Sequence, residues 1–102
     1  ELFGPIVSLE TFSDEGEAVS KANATCYGLA ASVFTTDLSR AMRMSRAIRA
    51  GTVWLNSHMR LAAEAETGGF GQSGLGRLHG PEGLHDFMET KHIYLEQGMI
   101  GG

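Results

Sequence analysis

The chain has 102 residues, of which 42% are hydrophobic and 20% charged, and a formal net charge of −4. That length fits one domain or a piece of one, and the composition excludes a disordered chain. The acidic balance argues against a general nucleic-acid or membrane-surface binder, and the single cysteine excludes an intrachain disulfide framework and a zinc site built on cysteine pairs. No apolar run approaches the roughly 18 residues of a membrane span and no signal-peptide pattern opens the chain, so a reducing, cytoplasmic compartment is the expectation. The chain starts at Glu1 without a Met and enters the apolar run Ile6-Val7-Ser8-Leu9 almost at once, as an excised segment or processed product would.

In chain order, residues 6–12 are apolar and β-branched between Gly4-Pro5 and Ser13-Asp14, which predicts a buried strand. Asp14 followed by Glu17 signals a helix N-terminus, with Ala18, Val19 and Ala22 as a short apolar stripe and Gly28 as its stop. Residues 29–35 read as a second strand. Thr36 or Asp37 caps a stronger helix over about 38–50, in which Leu38, Ala41, Met42, Ser45 and Ile48 share one face and four arginines ride the other. Residues 52–56 form a third strand, and 57–80 a loop long enough to point to function. Pro81 opens a helix to about Thr90 with Leu84, Phe87 and Met88 as its apolar face. Residues 92–96 are a last strand, followed by a loose tail. Strands alternating with helices imply an α/β fold with a mostly parallel sheet, flanking helices and right-handed crossovers.

Seven of the 14 glycines fall between residues 68 and 83. Gly69 to Gly74 match the dinucleotide fingerprint letter for letter, but that motif needs a strand directly before it and a helix opening on it. Here the strand ends a dozen residues too early, so a tight loop shaped by glycine backbone freedom or close approach is the better reading. Ser73 lacks the second spacing of a nucleophile elbow, and adjacent His85-Asp86 point apart on a helix, so no hydrolase triad is expected. The four histidines have no metal-ligand spacing, and no metal is expected. Cys26, at a helix C-terminal end where the dipole disfavours a thiolate, reads as packing. Arg40, Arg43, Arg46 and Arg49 read as a solvated face or subunit contact.

A set of short motifs then falls in register. They are Glu1-x-Phe3-Gly4-Pro5, Asn23-x-x-x-Tyr27-Gly28-Leu29-Ala30-Ala31, Gly51-Thr52-Val53-Trp54-x-Asn56, Gly68-Gly69-x-x-x-Ser73-Gly74-x-Gly76-Arg77, Gly83-Leu84 and Glu89-x-Lys91. In this order the chain resembles, to about residue 96, the C-terminal part of the catalytic domain of the NAD(P)-dependent aldehyde dehydrogenase superfamily.

The resemblance implies oxidation of an aldehyde to a carboxylic acid with NAD or NADP through a cysteine thiohemiacetal. The nucleophile and general base lie upstream of Glu1 in the family, so the segment alone is expected to be inactive, and Cys26 does not match the nucleophile's motif. Glu1 corresponds to the carboxylate that takes the nicotinamide-ribose hydroxyls, and Phe3 to the aromatic ring beside the nicotinamide. Leu61 and Thr67 correspond to positions facing the aldehyde tunnel. Glu66-Thr67 replace the family's usual Pro-Phe, removing an aromatic wall and bringing a charge nearby. Residues 1–91 are then the catalytic-domain portion, and 92–102 an oligomerisation strand and tail. The implied partners are a small-molecule aldehyde and further copies of the chain, as dimer or tetramer, with no nucleic acid and no membrane. Arg77 and Glu89 are a candidate ion pair holding the loop.

Two other readings compete. One is a stand-alone α/β interaction module that self-associates through residues 92–96, and the other a small dinucleotide-binding domain built on residues 69–74. The entry at Glu1 favours a segment over the first, and the missing strand before Gly69 disfavours the second.

Overall fold

The computed structural model describes residues 1–85, 87–96 and 98. Its elements run α1 (Glu15–Ala22), β1 (Ala30–Val33), α2 (Leu38–Ala47), β2 (Thr52–Leu55), a 3-10 turn (Gly71–Ser73) and α3 (Gly80–His85). β1 and β2 pair in parallel, with Ala30 opposite Thr52 and Val33 opposite Leu55. This is the α/β crossover expected from the alternation of apolar runs and capped helices.

The helix starts follow from local chemistry. The Asp14 carboxylate accepts the Glu17 N–H at 2.8 Å, and Glu17 in turn accepts the N–H and hydroxyl of Ser13 at 3.0 and 2.8 Å. Asp37, rather than Thr36, caps α2 by accepting the Arg40 N–H at 3.1 Å. α2 ends at Ala47, earlier than Gly51, because Ile48 turns extended at ψ 126°. Asn23 ties the two helix ends together. Its amide donates to the Ala47 carbonyl at 2.9 Å, and its side-chain oxygen accepts the Arg49 N–H at 2.8 Å. Near the helix starts, the Arg43 guanidinium grips Glu15 through two 2.9 Å bonds, with Arg40 at 3.4 Å. The arginine face is thus partly spent on an interhelix ion cluster.

Two expected strands do not form. Among the described residues, 6–12 have no ladder partner; their backbone bonds outside the run only where the Ile6 N–H donates to the nearby Gly4 carbonyl at 2.8 Å and where the Lys21 ammonium donates to the Thr11 carbonyl. Residues 92–96 likewise carry no strand assignment and are exposed. Both runs have the right side chains, but a strand exists only where a neighbour supplies N–H and C=O groups, and the sheet here stops at two strands. α3 ends at His85 rather than near Thr90, leaving Leu84, Phe87 and Met88 exposed. Among the described residues only Val33 and Ala41 are buried hydrophobics. The radius of gyration is 20.9 Å, against about 13 Å for a compact 100-residue domain. Backbone and polar contacts therefore carry most of the order.

The loop after β2 is seated on the sheet by glycines. The Gly28 carbonyl accepts from both Gly51 N–H at 3.0 Å and Phe70 N–H at 2.8 Å. The Gly28 N–H donates to the Ser73 hydroxyl at 2.7 Å. At Gly51 a side chain is impossible without movement, because a Cβ there stands 1.5 Å from the Gly68 carbonyl oxygen. Gly71, Gly74 and Gly76 have positive φ, so the window between 68 and 76 is the backbone-defined loop that its composition predicts.

Two expectations follow from this architecture. Gly51→Ala should destabilise the fold by about 3 kcal/mol, since backbone rather than a flexible side chain must yield. Gly4→Ala, whose Cβ meets nothing closer than 3.7 Å, should change stability by less than about 0.5 kcal/mol. Chemical denaturation of both variants distinguishes these outcomes. The hydrogen-bonded Arg43 guanidinium, helped by the charge of Arg40 and opposed by partial burial, holds the Glu15 carboxyl below its ordinary value of 4.5. A lowered folded value means the pair stabilises the fold above that pH, and that this stabilisation is lost as pH falls through the folded value. Glu15→Gln should therefore be less stable than wild type at neutral pH, and the gap should close in strong acid. A gap independent of pH would contradict it.

Candidate active-site segment

The seated loop brings two of the four candidate residues to adjoining clefts. Glu1 lines a cleft of about 780 Å³ with Tyr27, Gly28, Arg49, Gln72 and Ser73. Thr67 lines a smaller one of about 230 Å³ with Gly68, Gly69, Leu75, Gly76 and Arg77. Leu29 and Ser73 belong to both, so the Ser73–Gly28 hydrogen bond lies at their common wall. Phe3 and Leu61 line neither cleft. Phe3 is 94% exposed with φ 32°, and Leu61 is also exposed.

Thr67 is fixed by its backbone. It exchanges two 2.7 Å hydrogen bonds with Leu78, an isolated antiparallel bridge that closes the glycine loop on itself. The adjacent Glu66 does not line the Thr67 cleft. Its carboxylate lies against Gly80 and accepts the Glu82 N–H at 3.4 Å, at the start of α3. The charge expected near the pocket is thus engaged with the helix start, where a carboxylate satisfies an unpaired backbone donor.

Arg77 holds the loop, but not through Glu89, with which it forms no ion pair. Its guanidinium donates to the carbonyls of Gly69 at 3.1 Å and Gly76 at 2.7 Å, and stands 5.6 Å from the centre of the Phe70 ring. Carbonyls of a tight glycine loop converge and need a donor, so a local partner takes the fork that the sequence reading gave to a distant carboxylate. Sequence reasoning also missed the function of Asn23, Gly28 and Gly51, although all three sit in the motifs quoted above. Their signal was there as spacing, but the contacts they make span 17 to 45 residues.

Glu1 makes no hydrogen bond or ion pair among the described residues, and the Phe3 ring has an open face. A free carboxylate and an uncovered aromatic ring fit the ribose hydroxyls and the nicotinamide ring of NAD. The Gly69–Gly74 run does not offer a phosphate cradle, because its backbone is committed to Gly28, Cys26 and Arg77 and no helix opens on it. Cys26 is exposed and lines neither cleft. No helix among the described residues is long and apolar enough to cross a membrane.

Comparison with known proteins identifies the family. The model of the aldehyde dehydrogenase family matches residues 1–93. A (Z)-2-((N-methylformamido)methylene)-5-hydroxybutyrolactone dehydrogenase of Acinetobacter baylyi is 52% identical over 95 residues, which are 93% of this chain and 20% of that protein. The betaine aldehyde dehydrogenase of Bacillus subtilis is 45% identical over 94 residues, covering 92% of this chain and 19% of its own. A crystal structure of betaine aldehyde dehydrogenase from Staphylococcus aureus in complex with NAD+ superposes with a TM-score of 0.85 at 45% identity, over 91% of this chain and 18% of that one. The chain spans about a fifth of the length of the relatives it matches. With the family model matching residues 1–93 and relatives 45–52% identical over more than nine-tenths of its length, the chain belongs to the aldehyde dehydrogenase family.

Proposed function

We propose that this chain supplies the nicotinamide-ribose contact and part of the aldehyde pocket wall to an enzyme that oxidises an aldehyde to a carboxylic acid with NAD+. The observation that carries the reading is the Glu1 carboxylate, unengaged and facing the cleft whose wall is the Gly28–Ser73 junction. NAD+, which a solved relative binds, supplies the hydride acceptor. Glu1 accepts hydrogen bonds from the two ribose hydroxyls, and as an ionised acceptor it holds them more firmly than a neutral amide. Phe3 covers the nicotinamide face and limits the ring's orientations. Leu61 and Thr67 give the pocket an aliphatic and a hydroxyl-bearing wall in place of an aromatic one. The cysteine nucleophile and the general base belong to the remainder of the enzyme, since Cys26 reaches neither cleft.

Residues 1–91 form the catalytic-domain portion, and 92–102 an oligomerisation strand and tail, in which the strand at 92–96 pairs with a second copy of the enzyme in a dimer or tetramer; the tail lies, but for residue 98, outside the described residues. Ile93, Tyr94 and Leu95 support this pairing, being at least 75% exposed with no backbone partner among the described residues, which leaves an apolar run open to strand addition.

In the intact enzyme, Glu1→Gln should raise the KM for NAD+ roughly tenfold and leave the KM for the aldehyde unchanged, as expected for a charge-assisted bond weakened in one ligand's site. Initial rates of NADH formation measure both constants, and a change confined to the aldehyde would overturn the assignment. Residues 1–102 expressed alone should reduce no NAD+ and should elute from size-exclusion chromatography as self-associated species. A cooperative monomer would contradict the second expectation.

A further inference from the structure

Ser32 and Trp54 are register partners on β1 and β2, so their side chains leave the sheet on the same face. His58, just past β2, returns to that face. Its Nδ1 lies 2.7 Å from the Ser32 hydroxyl, and its ring meets the Trp54 ring edge-on, with centroids 5.2 Å apart at 74°. The Trp54 indole N–H then donates to the Arg60 carbonyl at 2.6 Å, one residue before Leu61. Between these contacts the backbone takes a left-handed turn at Met59, φ 57°, which a side chain such as methionine rarely adopts unaided. Neither Ser32 nor His58 belongs to the motifs that carry the family resemblance.

We infer that Ser32 and His58 form a positioning contact which, through Trp54 and the Arg60 carbonyl, fixes where Leu61 meets the aldehyde. The inference rests on the reading of Leu61 as a pocket residue. Ser32 and His58 are positioning residues, since they act on the loop and touch neither cofactor nor substrate. The bond is available in either histidine tautomer, because a hydroxyl donates or accepts. Its loss leaves the Met59 turn held from one side only, and the loop then samples positions in which Leu61 no longer faces the substrate.

The test uses the intact enzyme with Ser32→Ala, His58→Phe, the double variant and His58→Asn. Phenylalanine keeps a ring against Trp54 and removes the nitrogen that bonds Ser32. Asparagine keeps a polar atom near the Nδ1 position. Ser32→Ala and His58→Phe should each raise the aldehyde KM roughly fivefold, with kcat and the KM for NAD+ unchanged. The double variant should be no worse than either single one, because one contact is lost in all three. His58→Asn should stay within about twofold of wild type. Hydrogen exchange of the amides at residues 57–61 gives a readout independent of turnover, and should quicken in the first three variants only. Unchanged exchange, additive KM effects, or a fall in kcat and NAD+ affinity together would overturn the inference. A wild-type enzyme that reduces no NAD+ with any aldehyde would instead overturn the proposed function, and the exchange data would still decide whether the contact holds the loop.

Discussion

The structure depends on one close approach between two backbones. At Gly51 the chain enters β2 with the Gly68 carbonyl where a side chain would otherwise stand. A single residue, Gly28, joins the starts of both strands to the glycine loop: its carbonyl accepts two N–H groups and its own N–H donates to Ser73. Any residue larger than glycine at Gly28 also meets the Arg49 carbonyl at 2.6 Å and Phe70 at 3.1 Å. The loop therefore lies against the strand entries rather than above them, and both clefts open along that seam. Sequence, through three glycines and one serine, sets the geometry of the seam along which the clefts lined by Glu1 and Thr67 open.

Such a seam matters more here than in a domain with a large core. Burial of apolar area is the dominant stabilising effect in most domains, yet only one valine and one alanine are buried among the described residues. The conformation is specified instead by directional contacts: two carboxylate caps, the Asn23 bridge between helix ends, the Arg43–Glu15 fork and the Arg77 clasp on the loop. The apolar faces left open on α2 and α3 and along residues 6–12 and 92–96 match a segment about a fifth of the length of its relatives.

What the sequence made legible was local. Asp14 and Asp37 declare helix starts because a cap needs only its own next three residues; for the second helix the sequence leaves Thr36 and Asp37 both open, and the Arg40 N–H settles it on Asp37. The glycine window predicts a backbone-defined loop because glycine takes the positive φ values seen at Gly71, Gly74 and Gly76 at no steric cost. Strands at 6–12 and 92–96 were read from side-chain pattern, which fixes what a strand tolerates but not whether a ladder exists. The partner of Arg77 was sought in a distant carboxylate when two carbonyls lay within the same loop. The Ser32–His58 contact had no signal at all, since 26 residues separate the pair and neither sits in a periodic or motif position. Of the four candidate site residues, Glu1 and Thr67 stand on adjoining clefts, while Phe3 and Leu61 are exposed and line neither.

The central claim is that a loop seated on Gly28 and Gly51 holds the cleft wall opposite a carboxylate that receives the nicotinamide ribose. A crystal structure of the intact enzyme with NAD+ bound tests it most directly. The account predicts the Glu1 carboxylate within hydrogen-bond distance of both ribose hydroxyls, with Ser73 still bonded to the Gly28 N–H and the Gly68 carbonyl still against Gly51. A ribose held by other residues, with Glu1 turned away, or a glycine loop lifted from the strand entries, would contradict it.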